Sequence, residues 1–262
     1  SYQQVLAFDI KDTKLKARYQ DRLATTYYRQ AEKLRDEKNP ELAAQAFLKA
    51  ADMAADTKLK ATADFDAATV LLNAEKFKEA IPVLIAFRTR HPDSPLSQDI
   101  PEKLAVAYEK SDDLGNAALQ YQAIAARDQK KNPAASREAL WLAAETFEKI
   151  KQPEQALKIY QQYSADTTNP VDLRAEAVYR IYTYNDKNNL VTEAQSSLKN
   201  LAQIYDKLGD KAPPRIRYFG ALAHFKMTQP LYDNFAAITL KQPLKPNLLA
   251  KKKAMQAALI AY

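Results

Sequence analysis

Cysteine is absent from this chain, glycine occurs three times, histidine twice and tryptophan once in 262 residues. Each shortage removes a class of answers. Without cysteine there is neither a disulfide framework nor a thiolate metal site, and cytosol and periplasm remain equally compatible compartments. Gly115, Gly209 and Gly220 stand alone, so they assemble no glycine-rich phosphate loop and offer few positive-φ turns for a hairpin-rich sheet. His91 and His224 lie far apart and lack ligand spacing, which speaks against a zinc site and leaves nucleophilic catalysis with serine chemistry alone. No run of about 18 apolar residues occurs, so no segment is expected to span a bilayer. Ser1 opens no charged-then-apolar signal sequence.

What is present favours helices. Hydrophobic residues make up 47% of the chain, and alanine, leucine, lysine, glutamate and glutamine dominate between the prolines. These are the strong helix formers, so an all-α chain is expected. Tyr2 to Phe8 reads as the second helix of a hairpin lacking its first, and Lys253 to Tyr262 stops without a helix-ending signal. Both ends suggest a piece of a longer protein, with any signal peptide outside it.

Five alanines, Ala43, Ala80, Ala117, Ala156 and Ala194, follow one another at intervals of 37, 37, 39 and 38 residues. A single-core fold has no reason to repeat its close contacts at constant spacing, so the period marks a stack of like units. In the second unit, Ala67, Ala68 and Leu71 share one helical face. Phe77, Ala80, Leu84 and Phe87 form the stripe of a following helix, closed by Pro92. Pro82 lies past the first turn of that second helix, where it is expected to remove a hydrogen bond and kink it.

This pattern resembles the tetratricopeptide repeat family, which places small residues at the eighth and twentieth positions of a unit and bulky ones at the eleventh and twenty-fourth. The matching residues are Ala31, Leu34, Ala43 and Phe47; Ala68, Leu71, Ala80 and Leu84; Ala105, Tyr108, Ala117 and Tyr121; and Ala144, Phe147, Ala156 and Tyr160. The resemblance covers roughly residues 24 to 205. A fifth unit departs from it, with Tyr182 and Asn185 in its first helix, before Ala194 and Leu198 restore the second. The resemblance implies a right-handed superhelical solenoid of antiparallel helix pairs. Residues 1–212 would hold about five hairpins plus an N-terminal partial helix. Residues 213–262 would hold a degenerate hairpin, legible around Tyr218 to Leu240, with no small-residue pair in register and a basic end. Periods of 37 to 39 exceed the roughly 34 residues of the standard repeat, so helices or turns must be longer by about a turn. His91-Pro92-Asp93-Ser94-Pro95, after a helix carrying Ala80-Ile81-Pro82, resembles the bacterial subgroup in periplasmic proteins of outer-membrane assembly and of the Tol system. That likeness points to the periplasm and the cell envelope, the cytoplasm being the alternative.

The aromatic residues divide into two sets. Phe47, Tyr108, Tyr121, Phe147 and Tyr160 occupy core positions, whereas Tyr28, Phe65, Trp141 and Tyr179 share the fifth position of their units, where only the third differs, with Glu102. In the family this chain resembles, that position looks onto the concave surface, so these residues would line one groove with Glu32, Thr69, Asn73, Glu109, Glu145 and Thr183. Such a groove would be aromatic and mildly acidic. It lacks the lysine and asparagine set by which some members clamp a terminal carboxylate. The opposing reading is that the aromatics pack against the adjacent unit and bind nothing. Carboxylate pairs such as Glu145 and Glu148 read as a solvated helical face. From Lys207 onward there are 10 Lys or Arg and 2 Asp or Glu, so the whole formal excess of +7 is terminal. Such an end could meet acidic protein, anionic lipid or nucleic acid.

The expected function is a non-enzymatic scaffold holding a protein or peptide segment in the groove, within a bacterial envelope complex. No catalytic residue, small-molecule substrate, cofactor or metal is implied. Two alternatives stand beside it. One is a spacer or self-assembly arm of a larger repeat protein. The other is a nucleic-acid-binding module using the basic end, against which stands the lack of aromatics interleaved with Lys251-Lys252-Lys253.

Overall fold

The computed structural model describes residues 3–4 and 10–261, and among these it contains twelve α-helices and no strand. They are α1 (Thr13–Asp36), α2 (Pro40–Met53), α3 (Thr57–Asn73), α4 (Phe77–Arg90), α5 (Ile100–Lys110), α6 (Leu114–Asp128), α7 (Pro133–Lys149), α8 (Pro153–Ala165), α9 (Val171–Lys187), α10 (Val191–Leu208), α11 (Pro214–Ala237) and α12 (Leu244–Ala261). Short 3-10 turns at Pro95–Asp99 and Gly209–Lys211 precede α5 and follow α10. The expected N-terminal partial helix falls on residues 2–8, of which only Gln3 and Gln4 are described. The chain forms two compact units, residues 1–146 and 147–262, the division falling inside α7.

Within each unit a helix packs chiefly on its neighbours in sequence: α1 to α6 do so in the first, α8 to α12 in the second. That nearest-neighbour pattern is the signature of a repeat array. The periodic alanines explain it. Ala31, Ala43, Ala68, Ala80 and Ala117 have no exposed surface, and Ala105, Ala144 and Ala156 have at most 1%. A methyl side chain lets two helix backbones approach closely, and the bulky eleventh and twenty-fourth residues then fill the space on either side. Phe47, Leu71, Leu84, Tyr108, Phe147 and Tyr160 are all buried, while Tyr121 is half-buried.

The turn inside each hairpin is a feature the sequence did not announce. Lys38, Glu75, Asp112, Lys151 and Asn189 all have positive φ, between 57° and 61°. Each stands five residues before a periodic alanine. The amide of the following residue donates to the carbonyl of the eleventh residue at 2.9 Å in every case: Asn39 to Leu34, Lys76 to Leu71, Asp113 to Tyr108, Gln152 to Phe147 and Leu190 to Asn185. The positive-φ residue itself donates to the carbonyl three back, as Glu75 does to Leu72 at 3.0 Å. This is the Schellman arrangement, which satisfies carbonyls that a helix end otherwise leaves orphaned. Scarcity of glycine therefore does not mean scarcity of left-handed turns. Their hydrogen bonds offset the roughly 1–2 kcal/mol that a side chain costs in this conformation.

Pro82 sits inside α4, and helical backbone continues on both sides of it to Arg90, so the second helix of this unit extends through the proline. In the fifth unit, Tyr182 in the small position and Asn185 in the bulky one do not disrupt the first helix; both are buried within α9. Tyr182 joins a core with Val178, Leu198, Leu201, Ile216 and Phe219.

Residues 213–262 also differ from the reading of a hairpin around Tyr218 to Leu240. That stretch is a single helix, α11, running through Pro230, and the second helix begins only at Leu244. Gly220 lies one period beyond Tyr182, and a Cβ there would come within 2.3 Å of Tyr205 Cγ, so glycine makes the α10–α11 approach possible. One small residue thus holds register where no pair does. At Met227, one period after Asn189, there is no left-handed turn, and the helix runs on.

Candidate functional site

The fifth-position aromatics are half-buried, and Tyr28, Phe65 and Tyr179 each make a contact that reaches into the following unit. In the first compact unit Tyr28, on α1, donates its hydroxyl to the carboxylate of Asp66 on α3. Burial, followed by that carboxylate, pushes the Tyr28 phenol well above its ordinary value. Its ring meets Phe47 edge-on at 5.0 Å. Phe65 packs edge-on against Phe87 at 5.6 Å, and the ammonium of Lys103 on α5 stands 5.2 Å from its ring centre. In the second compact unit Tyr179 stacks on Phe219 at 4.7 Å and lies 6.4 Å from the Tyr218 ring. Arg215 sits 4.8 Å from the Phe219 ring centre and pairs with Glu176 at 2.9 Å. Asp66, Lys103 and Tyr218 are equivalent sixth positions, so an aromatic touching the sixth residue of the next unit is a repeated element of the stack. Trp141 on α7 is half-buried as well and has interactions of its own.

The polar residues of the expected groove fall into two groups. Thr69 and Thr183 turn their hydroxyls back onto their own helices, accepted by the carbonyls of Phe65 at 2.9 Å and of Tyr179 at 3.1 Å. Glu102 takes up the guanidinium of Arg127, and Glu109 accepts from the Tyr121 hydroxyl at 3.1 Å. Burial and the Glu109 charge push the Tyr121 phenol up to about 12. By contrast Asn73 and Glu145 are exposed and make no hydrogen bond or ion pair with any described residue. Glu145 stands one helical turn from Trp141, and Asn73 two turns from Phe65, so each shares a face with an aromatic. Tyr28, Phe65, Thr69, Asn73, Trp141 and Glu145 belong to the first compact unit, Tyr179 and Thr183 to the second.

Glu148 corrects the reading of a solvated carboxylate pair. It is partly buried, accepts from the Tyr160 hydroxyl at 3.1 Å and pairs with Arg180 at 2.9 Å, leaving Glu145 alone in solvent. The Tyr121–Glu109 and Tyr160–Glu148 bonds are the same contact in successive repeats, twelve residues apart in each.

One polar cluster was not foreseen. Asp64, 2% exposed in α3, receives Arg90 at 3.0 Å and lies 2.7 Å from His91 Nε2, while Arg90 also reaches Asp52 at 2.7 Å. The signal existed in the sequence as an acidic residue on the apolar face of a helix. Its partners, 26 and 27 residues away, were not deducible from spacing. An open cleft of about 690 Å3 borders this cluster, between Thr57, Lys58 and Thr62 of α3 and the His91–Leu96 turn. Its charged floor is spent internally, since both Arg90 and His91 Nε2 are held by Asp64. Among the described residues no group of three or more His, Cys, Asp and Glu is arranged to hold a metal. None of the described helices is long and apolar enough to cross a membrane.

No family model matches this chain, and neither does any curated protein. Two solved structures are similar in fold, both of a Podosopora anserina putative kinesin light chain with nearly identical TPR-like repeats, one of them a substituted form. Each is 14% identical to this chain with a TM-score of 0.38, covering 72% and 73% of it and 97% and 98% of their own lengths. The likeness is to those repeat structures as folds, and no functional conclusion follows from it.

Proposed function

We propose that this chain is a non-enzymatic interaction scaffold that holds a segment of a partner protein against its first-helix faces. The contact residues are Tyr28, Phe65, Thr69, Asn73, Trp141 and Glu145 in the first compact unit, with Tyr179 and Thr183 marking the corresponding face of the second. What supports this reading most is Asn73 and Glu145, exposed and unengaged beside half-buried aromatics in a region where comparable polar groups are consumed internally. A rigid aromatic gives large contact area at small entropic cost, and an unpaired carboxylate beside it suits a segment carrying lysine or arginine. The likeness of the His91–Pro95 turn to the bacterial subgroup favours a bacterial envelope complex as its setting.

The test is affinity for captured partners, with Trp141→Ala and Glu145→Lys measured beside the parent chain. The expected outcome is a loss of about 2 kcal/mol or more for Trp141→Ala, with helicity unchanged by circular dichroism. Equal affinity in parent and variants would discard the face. Tyr179→Ala is the packing control, because its ring is stacked on Phe219 and its loss lowers stability too.

A further inference from the structure

We propose that α12, with the loop before it, is a docking surface for an anionic phospholipid bilayer. The first observation is that this helix is inside out. Its buried residues are two alanines, Ala254 and Ala258. Its large aliphatics face solvent: Leu248 is 52% exposed, Leu249 70%, Leu259 68% and Ile260 87%, with Leu244 and Met255 exposed beside them. In α10 of the same unit the order is the usual one, with Leu198 and Leu201 buried. At about 100° per residue, Leu244, Leu248, Met255 and Leu259 fall within about 60° of one another, and Leu249 and Ile260 widen the apolar arc to about 160°.

The second observation is charge. After Asp233 the chain carries five lysines and no acidic residue. Lys251 is committed to the fold, since its ammonium donates to the Ile238 carbonyl at 3.0 Å and stands 4.9 Å from the Phe235 ring centre. Lys241, Lys245, Lys252 and Lys253 have no ion pair with any described residue and surround or interrupt the apolar arc. That combination selects the occupant. A second copy of the surface would bring like charges together, and nucleic acid offers nothing to six exposed aliphatic side chains. A protein groove reads a narrow i, i+3/i+4, i+7 stripe, whereas this arc is broad and has lysines within it. At a lipid surface the same lysines lay their stems along the acyl boundary and extend their ammonium groups to the phosphates. The helix, 18 residues or about 27 Å long, would lie in the interface plane.

The experiment is co-sedimentation of the 262-residue chain with phosphatidylcholine vesicles, with and without about 30% phosphatidylserine, at low and high salt. Two variants accompany it, Leu248→Glu/Leu259→Glu and Lys245→Glu/Lys252→Glu, with thermal unfolding as the check that each is folded. Binding is expected only with the anionic lipid, weakened by salt. A lysine near an anionic surface contributes a factor of about five, so the lysine pair should lose about thirtyfold and the leucine pair at least as much. Absence of binding to anionic vesicles, or binding indifferent to both variants, would overturn the proposal. So would self-association by sedimentation velocity that Leu248→Glu/Leu259→Glu abolishes without effect on vesicles. The groove residues are untouched in both variants, so their outcome is independent of partner capture.

Discussion

The α9–α10 hairpin and the α11–α12 pair share one compact unit and begin in the same register, yet they end differently. Both first helices place a core-facing residue where the period demands, Tyr182 in α9 and Gly220 in α11. In α9 the helix stops at the left-handed Asn189, the chain reverses, and α10 buries Leu198 and Leu201. In α11 the helix passes the equivalent Met227, continues to Ala237, and the next helix buries only two alanines. The turn, rather than the close contact, decides where the second helix lands and which of its residues are covered.

That contrast can be broken most sharply at the close contacts. Ala80→Leu places three extra carbons where nothing is exposed, and should cost about 3 kcal/mol of unfolding free energy. A cost under about 0.5 kcal/mol would mean the alanine contact does not set the hairpin. Gly220→Ala should cost about 2 kcal/mol, because the new Cβ meets ring carbons of Tyr205 at 2.3 and 2.6 Å. Both are read by chemical denaturation at constant m-value.

Asp64→Ala leaves Arg90 and the nearly buried His91 without their shared acceptor, and should cost about 1–3 kcal/mol. A double-mutant cycle with His91→Ala then isolates the pair; strict additivity would deny the contact any role. The turn comparison predicts opposite signs for one substitution. Glu75→Gly should stabilise by about 0.5 kcal/mol, since glycine adopts positive φ freely, whereas Met227→Gly should cost about 1 kcal/mol inside a continuous helix. Equal signs would mean that the two positions are conformationally alike.

A smaller effect is expected with pH. The phenols of Tyr28, Tyr121, Tyr179 and Tyr182 are all pushed up, chiefly by burial. A raised pKa means that the folded state holds the proton more tightly, so this contribution is complete below the unfolded value near pH 10. It is lost as pH rises toward the Tyr121 value of about 12. The melting temperature should therefore fall between pH 10 and 12, tracking tyrosinate absorbance; a flat profile would contradict the burial. Least of all, Leu249→Glu on exposed α12 should move the melting temperature by no more than the measurement error.

Several features of this protein were legible in its residues alone. The helix formers, the alanine period and the bulky residues flanking it specify hairpins, because helix formation is local and two backbones approach only over a small side chain. Register survives even where the residue type changes, as at Tyr182. Tertiary structure decided what depends on partners distant in sequence: the Asp64–His91–Arg90 cluster, spanning 26 and 27 residues, the aromatic that leans on the next unit, and Glu148 drawn inward by Arg180, 32 residues on, while Glu145 stays free. It also decided the five left-handed turns, whose side chains do not advertise the conformation that their backbone bonds stabilise. Periodicity fixes which residues recur; burial and charge then depend on what each recurrence meets, and α12 meets only a strip of alanine-sized contact.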